Sequence, residues 1–276
     1  MAKTWFITGT SSGIGRLLTE QLLARGDRVA ATVRKADALA DLKARYGEQL
    51  WLAQLDVTEP DAIRTVVRQA FSELGRIDVV VSNAGYGLFG AAEEVSDAQI
   101  RHQIDTNLIG SIQLIRAVLP YLRDQGGGRV VQVSSEGGQV TYPNFSLYHA
   151  TKWGIEGFVE TVAMEVAPFN IGLTIIEPGP TRTGFSDAKV SPPTLAVYAN
   201  TPADLVRQAL SNGVFKISGD AGKVAQAIIN STEQNPAPLR VTLGKGSYER
   251  VSAALKRRLD ALEAQKEIAF SADMDE

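Results

Sequence analysis

Two short stretches of the chain carry side chains whose types and spacing could do chemistry. Tyr148 and Lys152 stand four apart in Tyr148-His149-Ala150-Thr151-Lys152, heading a helical pattern through Ile155, Phe158, Val159 and Val162. That spacing sets a phenol and an ammonium on one helix face, within reach of one ligand. No other tyrosine of the chain has a lysine at the fourth position after it. Ser135 stands thirteen residues before Tyr148, at the end of the strand-like run Arg129-Val130-Val131-Gln132-Val133-Ser134. The second stretch, Thr8-Gly9-Thr10-Ser11-Ser12-Gly13-Ile14-Gly15, follows the apolar Trp5-Phe6-Ile7 and precedes Leu17-Leu18 and Leu22-Leu23. A buried strand, a glycine-rich turn and an amphipathic helix in that order place a pyrophosphate at a helix N-terminus. The glycines let the backbone turn sharply and approach phosphates, and the first free N–H groups of the helix supply donors and partial positive charge. The spacing is G-x-x-x-G-x-G rather than G-x-G-x-x-G.

The elements that must position these residues alternate between strand and helix patterns. Strands are expected near 3–8, 28–33, 50–55, 77–82, 129–134, 171–177 and 238–243, and helices over 14–25, 60–74, 96–123, 148–167 and 220–232. This order predicts an α/β fold, a Rossmann-like doubly wound parallel sheet of about seven strands with helices on both faces. Right-handed crossovers then put the ligand crevice at the carboxyl ends of the strands. No repeat or linker argues for a second domain, so residues 1–276 are read as one. The segment 184–219, with Pro192-Pro193 and Pro202, breaks the alternation and reads as a partly helical lid. From Tyr248 to about Ile268, Val251, Leu255, Leu259 and Leu262 recur at helical spacing beside charged residues, which predicts a C-terminal helical tail over 247–268. The final stretch, 271–276, is expected to fray.

Composition narrows the classes. With 276 residues and 44% hydrophobic side chains the chain can bury a large core. A net charge of −3 gives no electrostatic case for nucleic acid or anionic lipid. With no cysteine and two histidines, His102 and His149, a zinc-dependent chemistry is not expected, and no metal site is assigned. The N-terminus enters the first strand without a basic-then-apolar leader, and no apolar run is long enough to span a bilayer, so a cytoplasmic protein is expected.

Ser135, Tyr148 and Lys152 behind this glycine turn resemble the short-chain dehydrogenase/reductase family. Further stretches carry the resemblance in the same order. Asp56-Val57 follows the third strand, where the family places residues near the adenine. Ser82-Asn83-Ala84-Gly85 is similar to the family's Asn-Asn-Ala-Gly, with Ser for the first Asn. Asn107 falls at the family's mid-helix Asn, and Pro178-Gly179-Pro180-Thr181-Arg182-Thr183 matches its Pro-Gly turn and following Thr.

The resemblance implies a nicotinamide dinucleotide held by Gly9, Ser11, Ser12, Gly13, Ile14, Gly15, Asp56, Val57, Asn83, Ala84, Gly85, Tyr148, Lys152, Pro178, Gly179, Thr181 and Thr183. It implies Tyr148 as general acid/base, Lys152 as the cation that favours its anion, Ser135 as the group orienting the substrate oxygen, and Asn107 as anchor of a proton-relaying water chain. Where NAD-preferring members carry Asp at the end of the second strand, this chain has Val33 followed by Arg34. A guanidinium in place of a carboxylate suits a 2′-phosphate, so NADP(H) is expected rather than NAD. Tyr86, Leu88, Phe89, Tyr142, Phe145, Phe185 and Tyr198 follow family motifs around the crevice and predict an apolar substrate pocket. The expected activity is reduction of a hydrophobic ketone or aldehyde to its alcohol, and the reverse. A hydroxysteroid or retinol-type dehydrogenase is the nearest alternative, and a non-catalytic dinucleotide-sensing module is the alternative from another class. By the same resemblance a homodimer or homotetramer is expected. His149 points about 100° away from Tyr148 around the helix and is expected to pack or face solvent rather than act as a base.

Overall fold

The structure, a computed structural model, describes residues 2–184, 190–212 and 217–274. In chain order the elements are β1 (Thr4–Ile7), α1 (Gly13–Ala24), β2 (Arg28–Val33), α2 (Ala40–Tyr46), β3 (Leu50–Gln54), α3 (Pro60–Leu74), β4 (Val79–Ser82), α4 (Asp97–Ile104), α5 (Gly110–Asp124), β5 (Gly128–Val133), α6 (Ser146–Val166), β6 (Ile171–Pro178), β7 (Thr181–Arg182), α7 (Pro202–Ser211), β8 (Gly219–Asp220), α8 (Ala221–Ser231), β9 (Arg240–Leu243), α9 (Lys245–Glu263) and α10 (Lys266–Phe270). Seven strands form one sheet in the order β3-β2-β1-β4-β5-β6-β9, every pair parallel. Strand order reverses between β1 and β4, so their carboxyl ends part into the crevice where α/β sheets bind ligands.

The strands are apolar because helices cover both faces of the sheet. Side chains alternate across it: Trp5, Ile7, Val29, Val79 and Val81 pack toward Leu18 and Leu22 of α1 and Val224 and Ile228 of α8. Phe6, Ala30, Val80 and Val130 face Ile63 of α3, Leu114 and Val118 of α5, and Ile155 and Val159 of α6. These two layers fix α1, which follows the glycine turn, and α6, which carries Tyr148, on opposite faces of the sheet.

All seven expected strands are present. The helix expected over 96–123 is interrupted: Asp105–Ile109 form a π-helical turn between α4 and α5. Gly110 marks the place, since a Cβ there would lie 2.6 Å from the Val57 carbonyl oxygen. The periodicity of the stretch could not show this, because a one-residue widening leaves its apolar pattern nearly unchanged. The tail is helical as expected, but it divides into α9 and α10 at Ala264–Gln265. Among the described residues of 184–219, Ala196–Tyr198 form a 3₁₀ turn and α7 follows, and β8 at the end of the segment pairs with β7 as a short parallel ribbon.

The described part of the segment 184–219 is fastened to the rest of the chain. The Arg207 guanidinium lies 2.7 Å from the buried Glu94 carboxylate, which also accepts the Leu195 and Ala91 N–H groups at 2.8 Å. Asn144, with φ 70°, donates from Nδ2 to the Ala203 carbonyl at 2.6 Å. Replacing Leu114, 1% exposed among α3, α5 and the sheet, by Ala is expected to cost about 2–5 kcal/mol. Chemical denaturation would read this as a lower midpoint with an unchanged slope.

Candidate active site

The glycine turn is built by close approach. Gly9 and Gly13 have φ of 70° and 58°, a backbone conformation that side chains disfavour. A Cβ on Gly15 would stand 2.4 Å from the Gly9 carbonyl oxygen and 2.5 Å from Asn83 Nδ2. Asn83 holds the turn by donating from Nδ2 to the Thr8 and Gly9 carbonyls at 2.9 and 3.0 Å. In return, Thr8 Oγ1 accepts the Asn83 and Ala84 N–H groups at 3.0 and 3.1 Å. These bonds tie the end of β1 to the end of β4 across the switch point. Ser12, at the N-cap of α1, makes no side-chain capping hydrogen bond, and no acid stands in the first turn. The helix therefore presents its orphan N–H groups and positive dipole end to the crevice.

A cavity of about 640 Å³ runs from this turn along the carboxyl ends of the strands. Gly9, Ser11, Ser12, Gly13 and Ile14 line its first part, with Arg34, Asp56 and Val57 beside them and Asn83, Ala84 and Gly85 below. Hydrogen bonds from the Thr58 N–H and hydroxyl hold the Asp56 carboxyl below its usual range, and the positive Arg34 adds to this. Arg34 is exposed at the end of β2, after the buried Val33. Pro178, Gly179, Thr181 and Thr183 line the far side. A cradle of glycines, an uncapped helix end and a groove reaching the Pro-Gly turn match a dinucleotide in shape and in donors.

Ser135, Tyr148, Lys152 and Asn107 all line this cavity. Ser135 follows β5, and its Oγ accepts the Gly137 N–H at 3.1 Å. Tyr148 and Lys152 share a face of α6, with Lys152 Nζ 5.6 Å from the Tyr148 ring centre and donating to the Val133 carbonyl at 3.1 Å. Burial pushes the Tyr148 phenol up to about 12, with Glu136 and Glu156 adding to the rise and a hydrogen bond from Ser135 opposing it. Burial brings the Lys152 ammonium down to about 8, against the attraction of Glu156. Asn107 lies in the π-helical turn, its Oδ1 accepting the Tyr86 N–H at 3.0 Å and its Nδ2 donating to the Tyr86 carbonyl at 2.8 Å. Its side chain thus spends its bonds on the backbone of Tyr86, after β4.

The substrate end is aromatic. Tyr86, Phe89, Tyr142 and Phe145 line it, with Phe89 and Phe145 ring centres 4.6 Å apart, edge to face. Three expected residues do not line the cavity. Leu88 is 1% exposed and sits at a β-bridge to Val190, so it anchors the start of the segment that follows β7. Tyr198 sits outside it, its hydroxyl bonded to Glu93. Gly15 lies behind the turn, where its lack of a side chain makes room for Gly9 and Asn83. Phe185 falls outside the described residues. His149 is buried and packs as expected: its Nε2 accepts the Tyr142 N–H at 2.9 Å, and its Nδ1 pairs with the Gly137 carbonyl at 2.8 Å. With one ring nitrogen accepting and the other donating, it is held neutral, and burial lowers its pKa further.

Sequence reasoning missed a set of buried acids around Tyr148. Glu156, 2% exposed, accepts from Ser134 Oγ at 2.5 Å and pairs with Arg240 at 2.6 Å. Arg240 also pairs with Glu177 and, at 2.8 Å, with Glu160. Glu136, 4% exposed, accepts the Tyr142 hydroxyl at 3.0 Å and pairs with Arg250 at 2.7 Å. Spacing offered one clue, since Glu156 is four residues after Lys152 on the same face of α6. The arginine partners come from β9 and α9, far away in sequence. His102, Thr106, Val190, Leu210 and Ile217 also line the cavity without having been expected.

Among the described residues no group of acids and histidines could hold a metal ion, and no helix is long and apolar enough to cross a membrane. The model of the short chain dehydrogenase family matches residues 3–193. Oxidoreductase BOA17 of Botryotinia fuckeliana is 36% identical over 254 residues, 90% of this chain and 91% of that protein. Human retinol dehydrogenase 8 is 34% identical, over 86% of this chain and 80% of its own. The crystal structure of a short-chain dehydrogenase from Streptomyces avermitilis superposes with a TM-score of 0.91 at 36% identity, covering 99% of this chain and 100% of that one. With the parallel sheet, the glycine cradle and the Ser135, Tyr148 and Lys152 cluster in place, these likenesses show that the chain belongs to the short-chain dehydrogenase family of oxidoreductases.

Proposed function

We propose that the protein is an NADP(H)-dependent oxidoreductase that reduces a hydrophobic ketone or aldehyde to the alcohol and runs the reverse reaction. The observation that carries this reading is the meeting of Tyr148, Lys152 and Ser135 under one cavity, between the glycine cradle and an aromatic pocket. The dinucleotide supplies or takes the hydride. Tyr148 gives its phenolic proton to the carbonyl oxygen in reduction and recovers a proton from the alcohol in oxidation. The Ser135 hydroxyl orients that oxygen. A phenol that burial raises to about 12 needs a positive charge close by to reach its anion, and the ammonium of Lys152 over its ring provides one.

Arg34 supports the choice of NADP(H). It stands exposed on the cavity rim where a carboxylate would repel a 2′-phosphate, and its fork can bind one. The wall of Tyr86, Phe89, Tyr142 and Phe145 supports a bulky apolar substrate, and similarity to retinol dehydrogenase 8 supports a retinol- or hydroxysteroid-like ligand as the nearest alternative. The retained Ser135, Tyr148 and Lys152 argue against a purely sensing role. This reading includes a cytoplasmic homodimer or homotetramer; size-exclusion chromatography with light scattering measures the assembly.

Tyr148→Phe is expected to leave dinucleotide affinity within about threefold and to lower kcat by about 10²–10⁴-fold, the usual range for a general acid. Fluorescence titration followed by steady-state turnover on a panel of hydrophobic aldehydes and ketones checks both, and near-normal turnover would refute the assignment. Arg34→Ala is expected to weaken NADPH binding about tenfold or more, for the loss of about 1.5–3 kcal/mol in charge-assisted hydrogen bonds. NADH binding should change little, and equal losses for both dinucleotides would count against a phosphate-reading Arg34.

A further inference from the structure

The carboxylate nearest the reacting groups in sequence is Glu136, which directly follows Ser135. It is buried in the cavity wall, and a negative charge there opposes the phenolate of Tyr148. Left alone it would hinder the chemistry assigned to the site. It is not alone, because Arg250 reaches it at 2.7 Å from α9. The Tyr142 hydroxyl donates to its other oxygen at 3.0 Å.

The place of Arg250 is set by the sheet. β9 pairs with β6 so that Leu243 lies opposite Pro178, and the Gly179 N–H donates to the Leu243 carbonyl at 3.1 Å. Gly244, with φ 107°, then turns the chain into α9. The first turn of α9 packs so tightly on the Pro-Gly turn that a Cβ on Gly179 would meet Ser247 Oγ at 1.9 Å. Val251 and Ala254 seat the helix on Val140. Arg250 thus projects from a helix whose position is fixed by the strands that form the site. It lies beyond the stretch that the family model matches, residues 3–193.

We propose that Arg250 is a positioning residue for the general acid: by pairing with Glu136 it cancels the charge that the chain sets beside Tyr148. The inference rests on Tyr148 being the acid/base. Among the described residues, the charged and titratable groups on the elements packed about that phenol are Lys152, His149 and Glu156 from α6, Glu136 and Tyr142 from the segment after β5, Tyr86 and His102 on the cavity wall, and, one step further out, Glu177 from β6, Arg240 from β9 and Arg250 from α9. Glu156 and Glu177 share the single Arg240 guanidinium, which leaves it no capacity for Glu136, and His149 is neutral, so among the described residues Arg250 is the cation that faces Glu136. The role is electrostatic, so it predicts signs that a merely structural anchor would not produce.

The test is the pH profile of kcat/KM for alcohol oxidation with NADP⁺, using the alcohol product of the best-reduced carbonyl in the panel above. The rising limb of that profile follows deprotonation of the acid/base. Arg250→Met strands the Glu136 carboxylate and should move the limb up by about one pH unit, since nearby charges shift such groups by about 1–3. Glu136→Gln leaves the cation without its partner and should move it down. The double variant should return the limb close to that of the parent, and Arg250→Lys should do the same. Arg258→Met also removes an α9 arginine, one that stacks on Trp153 at 4.9 Å, and should leave the limb in place. Lower activity with an unmoved limb in Arg250→Met, or no recovery in the double variant, would overturn the inference while leaving Tyr148 as the acid. Full turnover by Tyr148→Phe would instead remove the reading on which it stands, and so would the absence of turnover on every panel member.

Discussion

Taking a phenol and an ammonium out of water, one helical turn apart, is the constraint on which the rest of this site depends. Burial raises Tyr148 to about 12 and brings Lys152 down to about 8, so each group's charged form is costly by itself. Placed on one face of α6, each makes the other's charge less costly. That arrangement needs a helix held rigidly on a sheet, and the core provides it: Ile155 and Val159 of α6 are wholly buried against β5 and its neighbours. It also needs the other strand ends at the same height, which the parallel register of β1, β4, β5 and β6 secures.

The same logic extends outward from the reacting groups. A buried carboxylate is tolerated only where it is paired and hydrogen-bonded. Three such carboxylates lie on or beside α6, and their arginine partners arrive from β9 and α9. The C-terminal strand therefore does more than extend the sheet. Its pairing with β6 delivers Arg240 directly and sets the start of α9, from which Arg250 reaches back. At the other end of the cavity, Asn83 does comparable work with neutral groups, drawing the ends of β1 and β4 together beneath the glycine turn.

How much of this was legible in the sequence follows from the range of the interactions. The strands were legible because continuous apolar runs such as Val79-Val80-Val81 have one reading in an alternating chain. Tyr148 and Lys152 were legible because their relation is local, four residues along one helix. The π-helical turn at Asp105–Ile109 was not, since the apolar pattern on either side continues through it and the close approach of Gly110 to Val57 beside it is tertiary. Leu88 was placed in the pocket by its neighbourhood to the Asn83-Ala84-Gly85 turn, but its side chain supports the bridge to Val190 instead. The pairing of Glu136 with Arg250 spans more than a hundred positions, and no spacing rule joins them.

The measurement that tests the central claim most directly is isotope transfer. The protein would be incubated with NADPH carrying deuterium at the transferable position and with the carbonyl panel, and the alcohols examined by mass spectrometry. The account predicts an alcohol that gains one deuterium on the former carbonyl carbon. Tight dinucleotide binding with no labelled alcohol from any panel member would contradict it.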